Sequence, residues 1–196
     1  MINYSQSVTD PLRSFECSIP SSNFYRLLSL ITDSPMKTTI RKALADDAAV
    51  VWGIRNASVL SGCKGFYPDE LLASWTEGQM TEKFVQYVND NFYVACINSL
   101  VVGTGVIDLS TGKLDAIHVR PDKMRRGIGK QIILFLEDAG RAAGLKALTL
   151  DATLNAAPFY RRCGFIGEAV GVYVSPRGIA LDCVPMTKVL SSSDSE

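Results

Sequence analysis

Histidine is nearly missing from this 196-residue chain; His118 is the only one. A multi-histidine metal centre is thereby excluded, and any Ser-His-Asp or Cys-His chemistry has to run through that residue. Net charge is missing too, because 20 basic side chains balance 20 acidic ones. With no global positive field there is no general attraction to DNA, RNA or anionic membranes, so an anion site has to be local. No apolar run reaches the length of about 20 residues that a membrane-crossing helix needs. Close cysteine spacing is absent as well: Cys17, Cys63, Cys96, Cys163 and Cys183 are odd in number and form no metal knuckle. Cys96 and Cys183 sit in apolar runs and read as small core residues, which suits a reducing, cytoplasmic compartment. The N-terminus lacks the basic start and apolar stretch of a secretory signal.

What is present is an ordinary globular composition, 47% hydrophobic and 20% charged, enough for one domain with a real core. Residues 1–35 stand apart: they are serine-rich, and only Phe24, Leu27, Leu28 and Ile31 show helical spacing. An organised pattern begins abruptly at Met36, which reads either as an alternative start or as the junction with an accessory extension. The expected layout is an N-terminal extension (1–35), a folded domain (36–190) and a polar tail (191–196). Within the domain, "TTIRKA" predicts a strand and "DDAAVVWGIRNASVL" a helix with Val50, Val51, Ile54 and Leu60 on one side. "PDELLASW" and "TEKFVQYV" predict two short helices, and "FYVACI" and "LVVGTGVID" a hairpin turning at Asn98-Ser99. "KLDAIHV" predicts a strand that runs into a glycine loop and a long helix, whose buried side carries Ile128, Ile132, Phe135, Leu136, Ala139 and Ala143 and which Gly144 ends. "ALTLDA", a short helix "NAAPFYRRC" capped by Asn155, "GVYV" and "IALDCVPMTKVL" complete the order. This is a mixed α/β fold: one mixed, mostly antiparallel sheet with helices on both faces.

The stretch "VRPDKMRRGIGKQ" carries Lys123, Arg125, Arg126 and Lys130 around Gly127 and Gly129. A strand, a glycine loop and a helix start make an anion site, because the first helical N–H groups lack partners and glycine lets the backbone approach closely. The loop is not a Walker A motif, since Gln131 follows Lys130 where a hydroxyl is needed. It is not a dinucleotide fingerprint either, since Ile132 occupies the third glycine position. Nor does it have the aromatic partners or broad basic face of a nucleic-acid site.

This stretch resembles motif A of the GNAT superfamily of acetyl-CoA-dependent N-acyltransferases, and "NAAPFYRRCGF" resembles that family's second cofactor-side motif. The resemblance covers roughly residues 37 to 189. One position departs from the pattern: Met124 stands where the family carries Gln or Arg. The resemblance implies that the loop N–H groups of Arg125, Arg126, Gly127, Ile128, Gly129 and Lys130 wrap the coenzyme A pyrophosphate, with Arg126 or Lys130 adding charge. It further implies a bulge in "KLDAIHV", also suggested by Leu114 being out of phase with Ile117 and Val119. Ile117, His118 and Val119 would then line the pantetheine arm, which pairs with free backbone like an added strand.

Amine acetylation from a thioester needs an oriented donor, a neutral amine, a hydrogen bond to the developing oxyanion and a proton for the departing thiolate. By resemblance, the Val119 N–H polarises the thioester carbonyl, Tyr160 protonates the thiolate, and Asn155 contacts the pantetheine arm. Asp115, on the same strand, is the candidate base or amine-binding acid, with His118 a weaker candidate. Tyr67, Trp75 and Glu77 are the expected acceptor pocket. The implied activity is N-acetylation of a primary amine of a small molecule or peptide, by direct attack in a ternary complex. Acetyl-CoA is the co-substrate, and no metal, nucleic acid or membrane is involved. A non-catalytic acyl-CoA-binding module is the alternative. Dimerisation is common in the family, but no interface is legible in the sequence.

Overall fold

The computed structural model describes residues 38–175 and 177–190, all within a compact unit running from Lys37 to Glu196. The expected extension, its helix at residues 24–31, the start at Met36 and the tail lie outside the described residues.

The domain opens with β1 (Thr38–Lys42), α1 (Ala48–Gly62), α2 (Asp69–Thr76) and α3 (Glu82–Asn91). Asp47 prepares the entry to α1: its carboxylate accepts from the Leu44 N–H at 2.8 Å and pairs with Arg41 at 2.7 Å. Thr81 caps α3 by accepting from the Phe84 N–H. Next come β2 (Phe92–Ile97) and β3 (Leu100–Ile107), joined at Asn98 and Ser99. Both turn residues take positive φ, 48° and 66°, as a two-residue hairpin of the right twist demands. β4 (Leu114–Val119), α4 (Ile128–Ala142) and β5 (Ala147–Thr153) follow. α5 (Ala157–Arg162), β6 (Gly171–Val174) and β7 (Ala180–Val189) close the chain.

The mixed α/β class and mostly antiparallel pairing agree with the sequence reading, but the single sheet does not. Strands β1-β2-β3-β4 form one antiparallel sheet and β5-β7-β6 another. Among the described residues only the parallel bridge Lys113↔Thr149 joins β4 to β5. Beyond that bridge the strands part, and the physical cause lies in β4 itself, as described below. Three local expectations also change. Leu60 is exposed while Ser58 and Val59 are buried, because the buried stripe of α1 continues from Ile54 through them. Ala143 faces solvent at the frayed end of α4, where Ile133 is buried instead. Asn155 does not cap α5, since that helix starts later, after Ala156.

The core lies on both faces of the first sheet. Strand alternation sends Phe92, Val94 and Cys96 of β2 towards α1 and α3, with Val51, Ile54 and Val88. It sends Ala95 and Ile97 the other way, against Ile128, Ile132, Ile133 and Leu136 of α4. α4 sits unusually close to β3. A Cβ at Gly105 would lie 2.6 Å from the Ile132 side chain, and one at Gly103 would lie 2.9 Å from it. Only glycine at these positions lets the helix approach, and that approach sets where its N-terminus points.

Candidate active site

The β4 bulge is the feature from which the site is built. β3 and β4 pair as Thr104↔His118 but Val106↔Asp115, so one extra residue sits in β4. Ala116 absorbs it with a φ of 52°, a left-handed conformation uncommon for alanine. The Arg120 N–H donates to the Val102 carbonyl at 2.9 Å, so by strand alternation the backbone groups of Val119 and Ile117 face away from β3. They face the side where β5 has parted from β4. This strand therefore offers the unpaired edge on which an extended ligand arm can hydrogen-bond. Leu114, Ile117 and Val119 come to one core face, as one bulge between them requires.

At the end of β4 the chain makes a turn at Pro121–Lys123 and enters the glycine loop. Arg125 has a φ of 60° and Gly127 a φ of 80°. This backbone leaves the N–H groups of Ile128, Gly129 and Lys130 without a backbone acceptor among the described residues, and the first helical bond comes from Gln131 to the Gly127 carbonyl at 3.0 Å. Such a cluster of N–H groups at the positive end of a helix dipole is an anion cradle. Lys123 is spent on Asp122 at 3.3 Å, as is Arg120 at 3.0 Å. Arg125, Arg126 and Lys130 are exposed and make no ion pair among the described residues. Gly129 is held against Phe159 of α5, where a Cβ would come within 3.1 Å of the ring.

Tyr160 is buried between Phe159 and Phe165, with ring centroids at 5.1 and 5.8 Å. Its hydroxyl hydrogen-bonds to none of the described residues. Burial raises its pKa well above the ordinary phenol value, with Cys163 and Asp115 adding to the shift, so the proton stays on at neutral pH. A buried phenol with an unspent donor is the arrangement a departing thiolate needs. Asp115 lines a pocket of about 330 Å³ together with Tyr87, Tyr93, Asp108 and Lys113. Burial raises its pKa above the usual carboxylate value, with Asp151 and Asp108 adding and Lys113 opposing. Those shifts make Asp115 a better proton acceptor than an exposed aspartate.

The comparisons agree with this geometry. Residues 88–167 match the family model described as an acetyltransferase (GNAT) domain. A GCN5-related N-acetyltransferase from Rhodopseudomonas palustris has a TM-score of 0.72 at 27% identity, covering 79% of this chain and 96% of that one. This chain belongs to the GNAT acetyltransferase family. Among relatives, an IAA acetyltransferase of Azospirillum brasilense is 36% identical over 81 residues, 38% of this chain and 53% of that protein. The match thus spans about half the length of that curated relative. The paia N-acetyltransferase of Thermoplasma acidophilum, solved in complex with coenzyme A, shares the fold. Its TM-score is 0.57 at 19% identity, over 79% of this chain and 99% of that one.

Within this GNAT domain the residues expected from sequence divide into two groups. The loop 125–130, the β4 edge and Tyr160 converge where β4 and β5 part. His118 does not join them through its ring. That ring turns towards α1, where Nδ1 lies 2.7 Å from Ser58 Oγ. Ser58 donates its own hydrogen to the Arg55 carbonyl at 2.9 Å, so neutral His118 carries its proton on Nδ1. Burial, with Arg55 adding, pushes its pKa down to about 3, which leaves a poor base. Asn155 accepts from the Cys63 thiol at 3.3 Å, and its amide nitrogen keeps no partner among the described residues. Of the expected acceptor pocket, Tyr67 is core. Its hydroxyl donates to the Asp182 carbonyl at 2.6 Å and accepts from the Leu154 N–H at 3.0 Å, which spends it structurally. Trp75 packs edge-on against Tyr67 at 6.4 Å and is half-buried. The Glu77 side chain is exposed, and it is its backbone carbonyl that matters here, accepting from Arg177 at 2.6 Å.

Sequence reasoning missed Arg55, Tyr87, Tyr173 and Lys113. The Lys113 ammonium lies 5.6 Å from the Tyr173 ring centroid and 3.0 Å from Asp151. A signal existed for one of them, since Arg55 is the lone charge in the run Ala48–Gly62. The others are joined only by contacts between distant parts of the chain.

Proposed function

We propose that this GNAT domain transfers the acetyl group of acetyl-CoA to a primary amine of a small molecule or peptide, by direct attack in a ternary complex. The observation that carries the reading is the parting of β4 from β5 at the Ala116 bulge, with the α4 cradle at one end of the gap and the Tyr160 hydroxyl beside it. The cradle N–H groups and the exposed cations Arg125, Arg126 and Lys130 suit a diphosphate. The Ile117 and Val119 backbone suits a pantetheine arm, and the Asn155 amide nitrogen adds a donor. The Val119 N–H is oriented to stabilise negative charge on a thioester oxygen. Tyr160 supplies a proton to the leaving sulfur. Asp115 holds the incoming amine and accepts its proton. A reducing, cytoplasmic setting suits the free cysteines Cys63, Cys96, Cys163 and Cys183.

The test is release of free coenzyme A from acetyl-CoA against amino acids, polyamines, aminoglycosides and peptide N-termini. Release with at least one class is expected. Tight acetyl-CoA binding with no release across the panel would favour the non-catalytic binding module and sink this reading.

A further inference from the structure

We propose that Arg55, assisted by Arg177, binds a carboxylate carried by the amine acceptor, so that the acceptor class is amino acids and other carboxylate-bearing amines. This rests on the N-acetyltransferase reading above.

The two buried acids of the domain have cationic partners: Asp47 pairs with Arg41, and Glu137 with Lys188 and Arg141. Arg55 is different. It is half-buried on α1, yet it meets no carboxylate among the described residues. Nη1 donates to Asn56 Oδ1 at 2.7 Å and Nη2 to the Trp75 carbonyl at 3.1 Å. The Nε–H and one N–H on each terminal nitrogen keep no acceptor there. The guanidinium also lies 5.5 Å from the Trp52 ring centroid, which fixes its plane.

Arg177 brings a second cation to the same place. Its Nη1 donates to the Glu77 carbonyl at 2.6 Å, so both guanidiniums are held by carbonyls at the C-terminal end of α2. Arg177 also makes no ion pair among the described residues. Burial and the nearby Arg177 both lower the Arg55 pKa, the mark of two like charges with no counter-charge between them. A partly desolvated cation without an anion is costly, and a bound anion relieves that cost. Planar guanidinium groups match a carboxylate in shape.

The position relative to the chemistry fits a bifunctional acceptor. Tyr173 feels Asp115, Lys113 and Asp151 on one side and Arg55 on the other. It belongs to the same apolar cluster as Trp75, whose carbonyl holds Arg55. An acceptor lying along Tyr173 thus meets the carboxylate of Asp115 with its amine and the guanidinium of Arg55 with its anionic group.

The experiment measures equilibrium binding to the full chain, saturated with coenzyme A, of free amino acids paired with their carboxamides. Carboxylate members are expected to bind about 10-fold to 100-fold tighter, the range for a hydrogen bond to a charged group. Arg55→Gln should erase that preference, Arg55→Lys should restore part of it, and Arg177→Gln should weaken it less. Coenzyme A affinity should be unchanged in all three. Should Arg55→Gln fail to fold, the wild-type pairs and Arg177→Gln still decide. Equal binding of acid and carboxamide by the wild type overturns the inference, as does a preference that survives Arg55→Gln. Because binding is read without turnover, the two readings fail separately. A carboxylate preference without any release of coenzyme A from acetyl-CoA removes the transferase and keeps the anion site. Release with carboxamides as good as with acids keeps the transferase and removes the anion site.

Discussion

Tyr160 and His118 show how two polar side chains with low exposure are given opposite duties. The Tyr160 ring is fixed by Phe159 and Phe165, while its hydroxyl has no partner to lose among the described residues. Tyr160→Phe should therefore leave stability nearly unchanged while lowering kcat about 100-fold, with the KM for acetyl-CoA unaltered. Steady-state kinetics beside a thermal melt would check both halves, and unchanged turnover removes Tyr160 from the chemistry. His118 holds β4 to α1 through Ser58 and stays neutral because burial and Arg55 push its pKa down to about 3. The unfolded chain takes up that proton near the ordinary value of about 6.5, whereas the native state does not. Stability is thus undiminished above about pH 6.5 and falls as the pH drops towards 3, by at most about 1.4 kcal/mol per pH unit. Urea unfolding at pH 7.5 and 5 should show this slope, and His118→Asn should reduce it.

Among the elements, α4 and β4 depend on one another. The helix reaches β3 only because Gly103 and Gly105 leave room for Ile132, and this approach carries the anion cradle to the end of β4. Gly105→Ala puts a Cβ 2.6 Å from Ile132, so it should destabilise the fold by about 1–3 kcal/mol, measured by chemical denaturation. Acetyl-CoA affinity should fall with it, since the helix start is displaced. The Ile132→Val change in the same chain should recover part of both losses. The Ala116 bulge works on the strand side of the same pair: it turns the backbone of Ile117 and Val119 away from β3, and no helix motion can substitute for that.

Across the whole molecule two sheets are held as one unit with little direct strand pairing between them. Besides the Lys113↔Thr149 bridge, a polar staple crosses the junction. Glu137 of α4, 2% exposed at its side chain, receives the Lys188 ammonium of β7 at 2.5 Å, and Lys188 also donates to the Cys163 carbonyl at 2.7 Å. Lys188→Met strands a buried carboxylate with only Arg141 at 3.3 Å, and should cost about 3–5 kcal/mol. Adding Glu137→Leu should return most of that loss, because the pair's desolvation cost goes with its attraction. A double-mutant cycle by urea titration measures the coupling. The balanced charge of the chain leaves specificity to such local groups.

Local pattern was enough for much of this. Periodicity and turn chemistry marked nearly every element, from the Asn98-Ser99 turn to Gly144, because those signals act within a few residues. The loop around Gly127 and Gly129, the phase slip between Leu114 and Ile117, and Tyr160 all lie in two short stretches of sequence. Their part of the site was therefore legible before any fold was known. What side chains do across long separations was not. Tyr67 looked like a pocket wall until Asp182 and Leu154, far along the chain, were seen to take its hydroxyl. His118 looked free until Ser58 met its ring. Arg55 carried only the faint mark of a lone charge in an apolar helix, and its unpaired state emerges from what α2, β6 and the turn at Arg177 leave around it. Backbone conformation is set by neighbours in sequence, whereas burial, hydrogen-bond partners and charge balance are set by neighbours in space. The sequence accordingly determined the strand, the loop and the helix that hold a diphosphate, and only the tertiary structure decided which groups surround the acceptor.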